Sequence, residues 1–283
     1  MLRAGFGLAE LLAPRVGARV AERIWFTLPA APRRRPLPAC GTGFEVRSQA
    51  AVVRGRSWGE GPVVYLVHGW GGRGGQLAAY VEPLVRRGHR VVLFDGLSHG
   101  DSDAGPSGPR SSNAVELGRA LDDVAARFGP AHAVVAHSMG AAATALALKY
   151  GWLGTDRLAL VAPLTRLDTL FDGFGRLLGF GPRTRGQLEA RSARRVGLPV
   201  AELDLEVLLR EVGAPLPLVV HDRHDPETSY TESAALVAGL PGARLHTTEG
   251  LGHRRVLRDA AAVQAVVDHV TAGERQEALP ASA

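Results

Sequence analysis

Six short apolar runs constrain this chain most: Val63–Val67, Arg90–Phe94, Ala133–Ala136, Leu158–Val161, Leu216–Val220 and Arg244–His246. A segment that is apolar along its length has no polar side to turn toward water. It suits a buried strand of a parallel sheet whose two faces are both covered. Between the runs lie helix-like stretches, at about residues 76–87, 112–128, 139–150, 229–239 and 256–271. Such alternation predicts a doubly wound α/β sheet. Residues 43–49 and 51–57 read as a polar-edged antiparallel pair ahead of it. No internal repeat is visible.

One interval breaks the rhythm. Residues 165–214 separate the fourth and fifth runs, about 50 positions, far more than an ordinary crossover. They are mostly helical in pattern and carry Phe171, Phe174, Leu177, Leu178 and Phe180, which predicts a helical cap over one end of the sheet. Phe171 and Phe174 are candidates for binding a hydrophobic substrate, with cap movement gating entry. Core packing of the same side chains is the equally weighted alternative.

Ahead of the body, Leu8, Leu11, Leu12, Val16, Val20 and Ile24 recur every three or four residues, one face of an amphipathic helix. A helix docked on the domain is the preferred reading; membrane-surface contact through residues 1–25 is the alternative. Glu10, Arg15, Arg19, Glu22 and Arg23 interrupt any continuous apolar core, so the segment is not read as a signal peptide. Pro29 to Pro38 cannot continue a helix and reads as an extended linker. The expected division is an N-terminal helix and linker over 1–40, a catalytic core over 41–164 and 215–283, and the cap over 165–214.

The net charge of +5 invites a nucleic-acid reading, but its distribution argues against one. Residues 1–60 hold ten arginines and four glutamates, whereas the remaining 223 residues carry 23 basic and 24 acidic groups. A nucleic-acid binder needs a basic face on its folded body. No stretch of about 18 apolar residues occurs, so no membrane-spanning helix is expected. Cys40, the single cysteine, has no internal disulfide partner. No H-E-x-x-H occurs and the ten histidines are scattered, so no metal is expected. The chain is read as a cytoplasmic protein acting on a small molecule, with its oligomeric state left open.

The chemistry sits at strand ends. Ala133–Ala136 runs into His137-Ser138-Met139-Gly140, which opens an alanine-rich helix. That context fits a nucleophile elbow, a strained strand-to-helix turn that exposes a serine hydroxyl. Positions two before and two after the serine must be small, and Ala136 and Gly140 are, giving A-x-S-x-G where G-x-S-x-G is usual. The simpler alternative is a serine that caps the helix. His68-Gly69-Trp70-Gly71-Gly72 follows the strand ending at Val67. Acyl transfer needs backbone N–H donors aimed at a developing oxyanion. The candidates are the amide of Met139, at a helix N-terminus, and that of Trp70 in the glycine-rich loop. The Trp70 side chain would line an acyl pocket or brace the loop.

His68-Gly69-Trp70, Asp95 through Asp101, Ala136 through Gly140, Asp225 and His253 together resemble the α/β-hydrolase superfamily, over about residues 60–270. The chain order of serine, acid and histidine is that family's. The resemblance implies an eight-stranded, mostly parallel sheet with the cap inserted after the sixth strand, and a hydrolase that uses no cofactor. Family members carry the acid in a loop after the strand near 218, in a register that favours Asp225 over Asp222. Asp222 is left to orient the loop or pair with Arg223. The base should come from the loop after the last strand, where His253 sits between glycines and the final helix. His246 and His224 are read as packed and solvent-facing respectively, and His99 as part of a structural turn near the site.

The expected activity is a serine esterase acting through an acyl-enzyme on small hydrophobic substrates, with Ser138, His253 and Asp225 as triad. The alternative is acyl transfer, thioester hydrolysis or carbon–carbon hydrolysis by the same three side chains. A catalytically silent binding module comes third, since it would have no need of all three.

Overall fold

A computed structural model describes residues 2–30 and 33–272 of the chain. Positions 31–32 of the expected linker and 273–283 of the expected core lie outside the described residues. Eight strands form one sheet: β1 (Thr42–Ser48), β2 (Ala51–Trp58), β3 (Val63–Val67), β4 (Arg90–Asp95), β5 (Ala131–His137), β6 (Thr155–Val161), β7 (Leu218–Asp222) and β8 (Arg244–Thr248). Their spatial order is β1-β2-β4-β3-β5-β6-β7-β8. β1 pairs with β2, and β2 with β4, antiparallel; the other pairings are parallel. All six apolar runs are strands of this sheet.

The helices are α1 (Leu2–Leu12), α2 (Pro14–Trp25), α3 (Val81–Arg86), α4 (Ala114–Phe128), α5 (Met139–Lys149), α6 (Leu167–Leu178), α7 (Pro182–Val196), α8 (Leu205–Glu211), α9 (Tyr230–Gly239), α10 (Gly252–Arg255) and α11 (Ala260–Val270). Alternate strand residues feed separate cores. Tyr65 and Val67 pack with Leu121 of α4 and Leu146 of α5, while Val64 and Leu66 pack with Leu84 of α3 and Val266 of α11. Burial of both faces is why the runs of β3 to β7 show no polar alternation. The run Arg244–His246 differs from the expectation of a buried strand, because β8 is the edge of the sheet and only half-buried.

Two expected helices are interrupted. Residues 74–80 form a 3₁₀ turn before α3. Pro83 lacks the N–H that a longer helix through this point would require. Near the C-terminal end, Asp259 caps α11 by accepting from the Ala262 amide at 3.0 Å, after a short 3₁₀ turn at Val256–Arg258.

The cap consists of α6, α7 and α8, inserted between β6 and β7. The N-terminal segment joins it. Phe6, Ala18 and Ala21 share an apolar cluster with Phe171, Leu178, Phe180 and Leu188. Glu10 accepts from the amides of Arg183 and Thr184, both at 2.9 Å, and so satisfies free N–H groups at the start of α7. Glu22 pairs with Arg191 at 2.5 Å.

The expected single amphipathic helix is therefore two, divided at Ala13-Pro14. It does dock, but not by the stripe read from the sequence. Where α2 crosses α7 the approaching residues are small (Gly17, Ala18 and Ala21), and Phe6 and Trp25 pack on the aromatic rings of Phe180 and Phe171, while Leu8, Leu11, Leu12, Val16, Val20 and Ile24 face solvent. Small residues allow close helix approach, which large aliphatic ones would prevent. Among the described residues, no helix is long and apolar enough to cross a membrane.

Candidate active site

Ser138 sits between the end of β5 and the first residue of α5, at φ 54° and ψ −123°. A non-glycine residue enters this left-handed region only where its surroundings impose it. Its amide donates to the Val161 carbonyl at 3.1 Å, and its own carbonyl accepts from Ala141 and Leu164 at 3.0 and 3.1 Å. The turn is also tight. A Cβ on Gly140 would lie 2.6 Å from the His68 carbonyl oxygen, and one on Gly69 would lie 2.7 Å from the Ser138 Cβ. Glycine at both positions lets the loop after β3 close against the elbow.

That loop is pinned by two histidines in fixed tautomers. His68 Nδ1 donates to the Gly69 carbonyl at 2.8 Å, and Nε2 accepts from the Gly96 amide at 2.9 Å. His99 does likewise, with Nδ1 on the Leu97 carbonyl at 2.9 Å and Nε2 accepting from the Gly71 amide at 3.2 Å. Burial holds both rings neutral, pushing His68 down to about 4 and His99 to about 3. Trp70 lies between these contacts, half-buried, with its indole against His99.

The segments after β7 and β8 meet at several hydrogen bonds, one of them between a histidine and a carboxylate. His253 Nδ1 lies 2.8 Å from Asp225 Oδ2, and both side chains are almost wholly buried. The same carboxylate oxygen has His221 Nε2 at 3.2 Å and accepts from Thr228 Oγ1 at 3.1 Å. Burial opposes the charge on Asp225, but the bonds from His221 and His253 outweigh it and hold the carboxyl well below the usual range. Asp222 is the loop-orienting acid. It accepts from the Leu251 amide and Thr248 Oγ1, both at 2.9 Å, and from the His224 amide at 3.0 Å. It thereby ties the acid loop to the histidine loop, while Arg223 pairs with Glu249 at 3.1 Å.

Ser138, Met139, Trp70 and His253 line one cavity of about 720 Å³. Its walls are mostly apolar and include Trp25, Leu28, Leu164, Phe174 and Leu203. Phe174 is thus part of the wall. Phe171 is not: it is fully buried behind the wall, stacked on Trp25 with ring centroids 4.4 Å apart. His137, next to the serine, packs against the His253 ring and has its Nε2 3.1 Å from the His253 carbonyl oxygen. Glu227 also reaches the cavity, with Oε2 3.9 Å from His253 Nε2. Among the described residues, no group of three or more His, Cys, Asp or Glu is arranged to hold a metal ion.

A model of the alpha/beta hydrolase family matches residues 64–268, most of the chain. The protein belongs to that family. Among curated proteins, no sequence relative matches it. Solved structures resemble it in fold at low identity. An esterase from Exiguobacterium antarcticum superposes with a TM-score of 0.61 at 16% identity, covering 81% of this chain and 99% of its own. A thioesterase domain from the curacin biosynthetic pathway gives 0.59 at 14%, covering 82% and 99%. A membrane phospholipase A described as a bacterial virulence factor gives 0.59 at 19%, covering 95% and 99%.

Several residues around this cavity carried no usable signal in the sequence. His221 lies within β7 and Thr228 in the loop after it, so neither a helical nor a strand spacing relates the two to Asp225. Trp25 reaches the cavity by stacking on Phe171, more than 100 positions away, and Leu28 by a backbone bond from its amide to the Arg110 carbonyl.

Proposed function

We propose that this alpha/beta hydrolase cleaves carboxylic esters of small hydrophobic substrates through an acyl-enzyme. The observation that carries the reading is the His253–Asp225 bond at the rim of the cavity that Ser138 also lines. With Nδ1 donating to an ionised, buried carboxylate, the ring keeps Nε2 for a proton from Ser138.

In the proposed reaction, Ser138 Oγ attacks the ester carbonyl as His253 takes its proton. The charge on the carbonyl oxygen is met by the amides of Met139 and Trp70. Met139 is the first residue of α5, so its N–H has no acceptor within the helix and the helix dipole favours an anion there. His253 then returns the proton to the leaving alcohol, and the acyl group remains on Ser138 until water repeats the sequence. Asp225 stays ionised throughout and stabilises the imidazolium. The apolar wall, with Phe174 on it, favours a hydrophobic acyl or alkyl group. The esterase and thioesterase among the fold neighbours fit this chemistry without choosing between the two bonds.

Steady-state hydrolysis of p-nitrophenyl esters of increasing chain length tests the reading. Wild-type protein should turn over several of them, and Ser138→Ala should reduce kcat by at least about a thousandfold. Equal rates for the two proteins would remove the assignment.

A further inference from the structure

The aliphatic stripe of the N-terminal helices is turned outward, although the helices themselves are docked. Leu8, Leu11 and Leu12 on α1 are 60%, 70% and 76% exposed, and Val16, Val20 and Ile24 on α2 are 56%, 45% and 38% exposed. Leu177 of α6 extends the same surface at 68% exposed, next to Arg3, which donates to the Leu177 carbonyl. Scattered exposed aliphatics are ordinary on a folded protein, but a continuous set of seven on adjoining helices marks an interaction surface.

The charges on these helices are sorted. Arg15, Arg19 and Arg23 are exposed and recur at four-residue spacing, each one position before a member of the Val16–Val20–Ile24 stripe. On a helix this sets a row of guanidinium groups directly beside the aliphatic row. The two acidic side chains of the segment are turned the other way, Glu10 onto the start of α7 and Glu22 onto Arg191. The outer face is therefore aliphatic and cationic, with its carboxylates spent on the docking side.

We infer that the outer face of α1 and α2 docks on an anionic lipid surface, its aliphatic row entering the acyl boundary and its arginine row meeting the headgroups. An in-plane helix with one aliphatic and one cationic side binds such surfaces by those two contributions together. A second copy of the chain is the poorer fit. It would bring its own arginine row to the contact and offer no carboxylates from these helices. The surface also leads into the cavity, because Arg23 and Ile24 line its wall beside Trp25. Docking would set that opening at the lipid boundary. The docking itself rests on the surface alone; delivery of lipid-borne acyl groups to Ser138 rests on the hydrolase reading.

Sedimentation of the full chain with vesicles separates these claims. Vesicles of phosphatidylcholine alone and of phosphatidylcholine mixed with phosphatidylserine would be compared, for wild type, for Leu12→Ser/Val16→Ser/Val20→Ser and for Arg15→Gln/Arg19→Gln. Wild type should pellet with the anionic vesicles and far less with the neutral ones. The triple variant should stay in the supernatant. The double arginine variant should partition about thirtyfold less, from roughly fivefold per surface arginine. Circular dichroism and hydrolysis of a soluble short-chain ester should be unchanged in both variants, since the substituted residues are exposed and lie outside the cavity wall. Wild type remaining in the supernatant, or equal pelleting of all three proteins, overturns the proposal. So does a lipid-free dimer in analytical ultracentrifugation that the triple variant abolishes, because the face would then belong to a second copy. Vesicle binding with no ester hydrolysis would retain the docking surface and remove only the esterase.

Discussion

His253 in α10 and Asp225 in the loop after β7, 28 positions apart, share a 2.8 Å hydrogen bond in which the carboxylate also receives His221 and Thr228. The carboxylate is thus held by several groups besides the imidazole. The substitution Asp225→Asn keeps the size but removes the charge that fixes the imidazole tautomer. The expected result is a fall in kcat of roughly 10³–10⁴-fold with KM little altered. Steady-state ester kinetics check it; a loss confined to KM would show that Asp225 acts on binding instead.

The elbow depends on backbone clearance at Gly140. Gly140→Ala places a methyl group 2.6–2.7 Å from the carbonyl oxygens of His68 and Val67, which are backbone and cannot step aside. The expected loss is about 1–3 kcal/mol in urea unfolding, together with most of the activity, because the strained Ser138 would shift with the turn. Unchanged stability and rate would show the turn to be more compliant than its contacts imply.

Phe171 and Phe174 should separate cleanly. Phe171 is fully buried on Trp25, so Phe171→Ala should lose about 3–5 kcal/mol of stability. Phe174 is half-buried on the cavity wall, so Phe174→Ala should raise KM for longer acyl chains at small cost in stability. Denaturation and a chain-length series measure both, and reversed behaviour would redraw the wall.

Acid should weaken the fold well before carboxylates titrate. Burial pushes His68 to about 4, and His99 and His137 to about 3, against 6.5 for a free imidazole. Below pH 6.5 the unfolded chain therefore binds protons that the folded chain refuses, so stability falls as pH drops toward the folded values and is complete above 6.5. At pH 5 each ring accounts for about 2 kcal/mol. Urea midpoints at pH 7 and pH 5 measure the difference, and His99→Asn should reduce it. A midpoint unchanged between the two would contradict the neutral, buried rings.

Much of this arrangement was legible in the sequence for physical reasons. Strands covered on both faces need side chains such as Val64 and Tyr65 to be apolar in succession, so the runs were visible. Ser138 stood out by its place between a strand and an alanine-rich helix, whereas Asp225 and His253 were picked out through the chain order that the family resemblance implies. What the sequence hid was direction. The spacing of Val16, Val20 and Ile24 describes a stripe equally well whether it faces the cap or solvent. Only the positions of Gly17, Ala18 and Ala21 against α7 decide it. Phe171 and Phe174 are indistinguishable by composition, and the partners of Asp225 converge from β7, the loop after it and α10, which no periodicity encodes.

The most direct test is a covalent one. Protein treated with a fluorophosphonate should gain a single adduct, mapped by peptide mass spectrometry to Ser138, and Ser138→Ala should gain none. An adduct on another residue, or none on folded wild-type protein, would contradict the account.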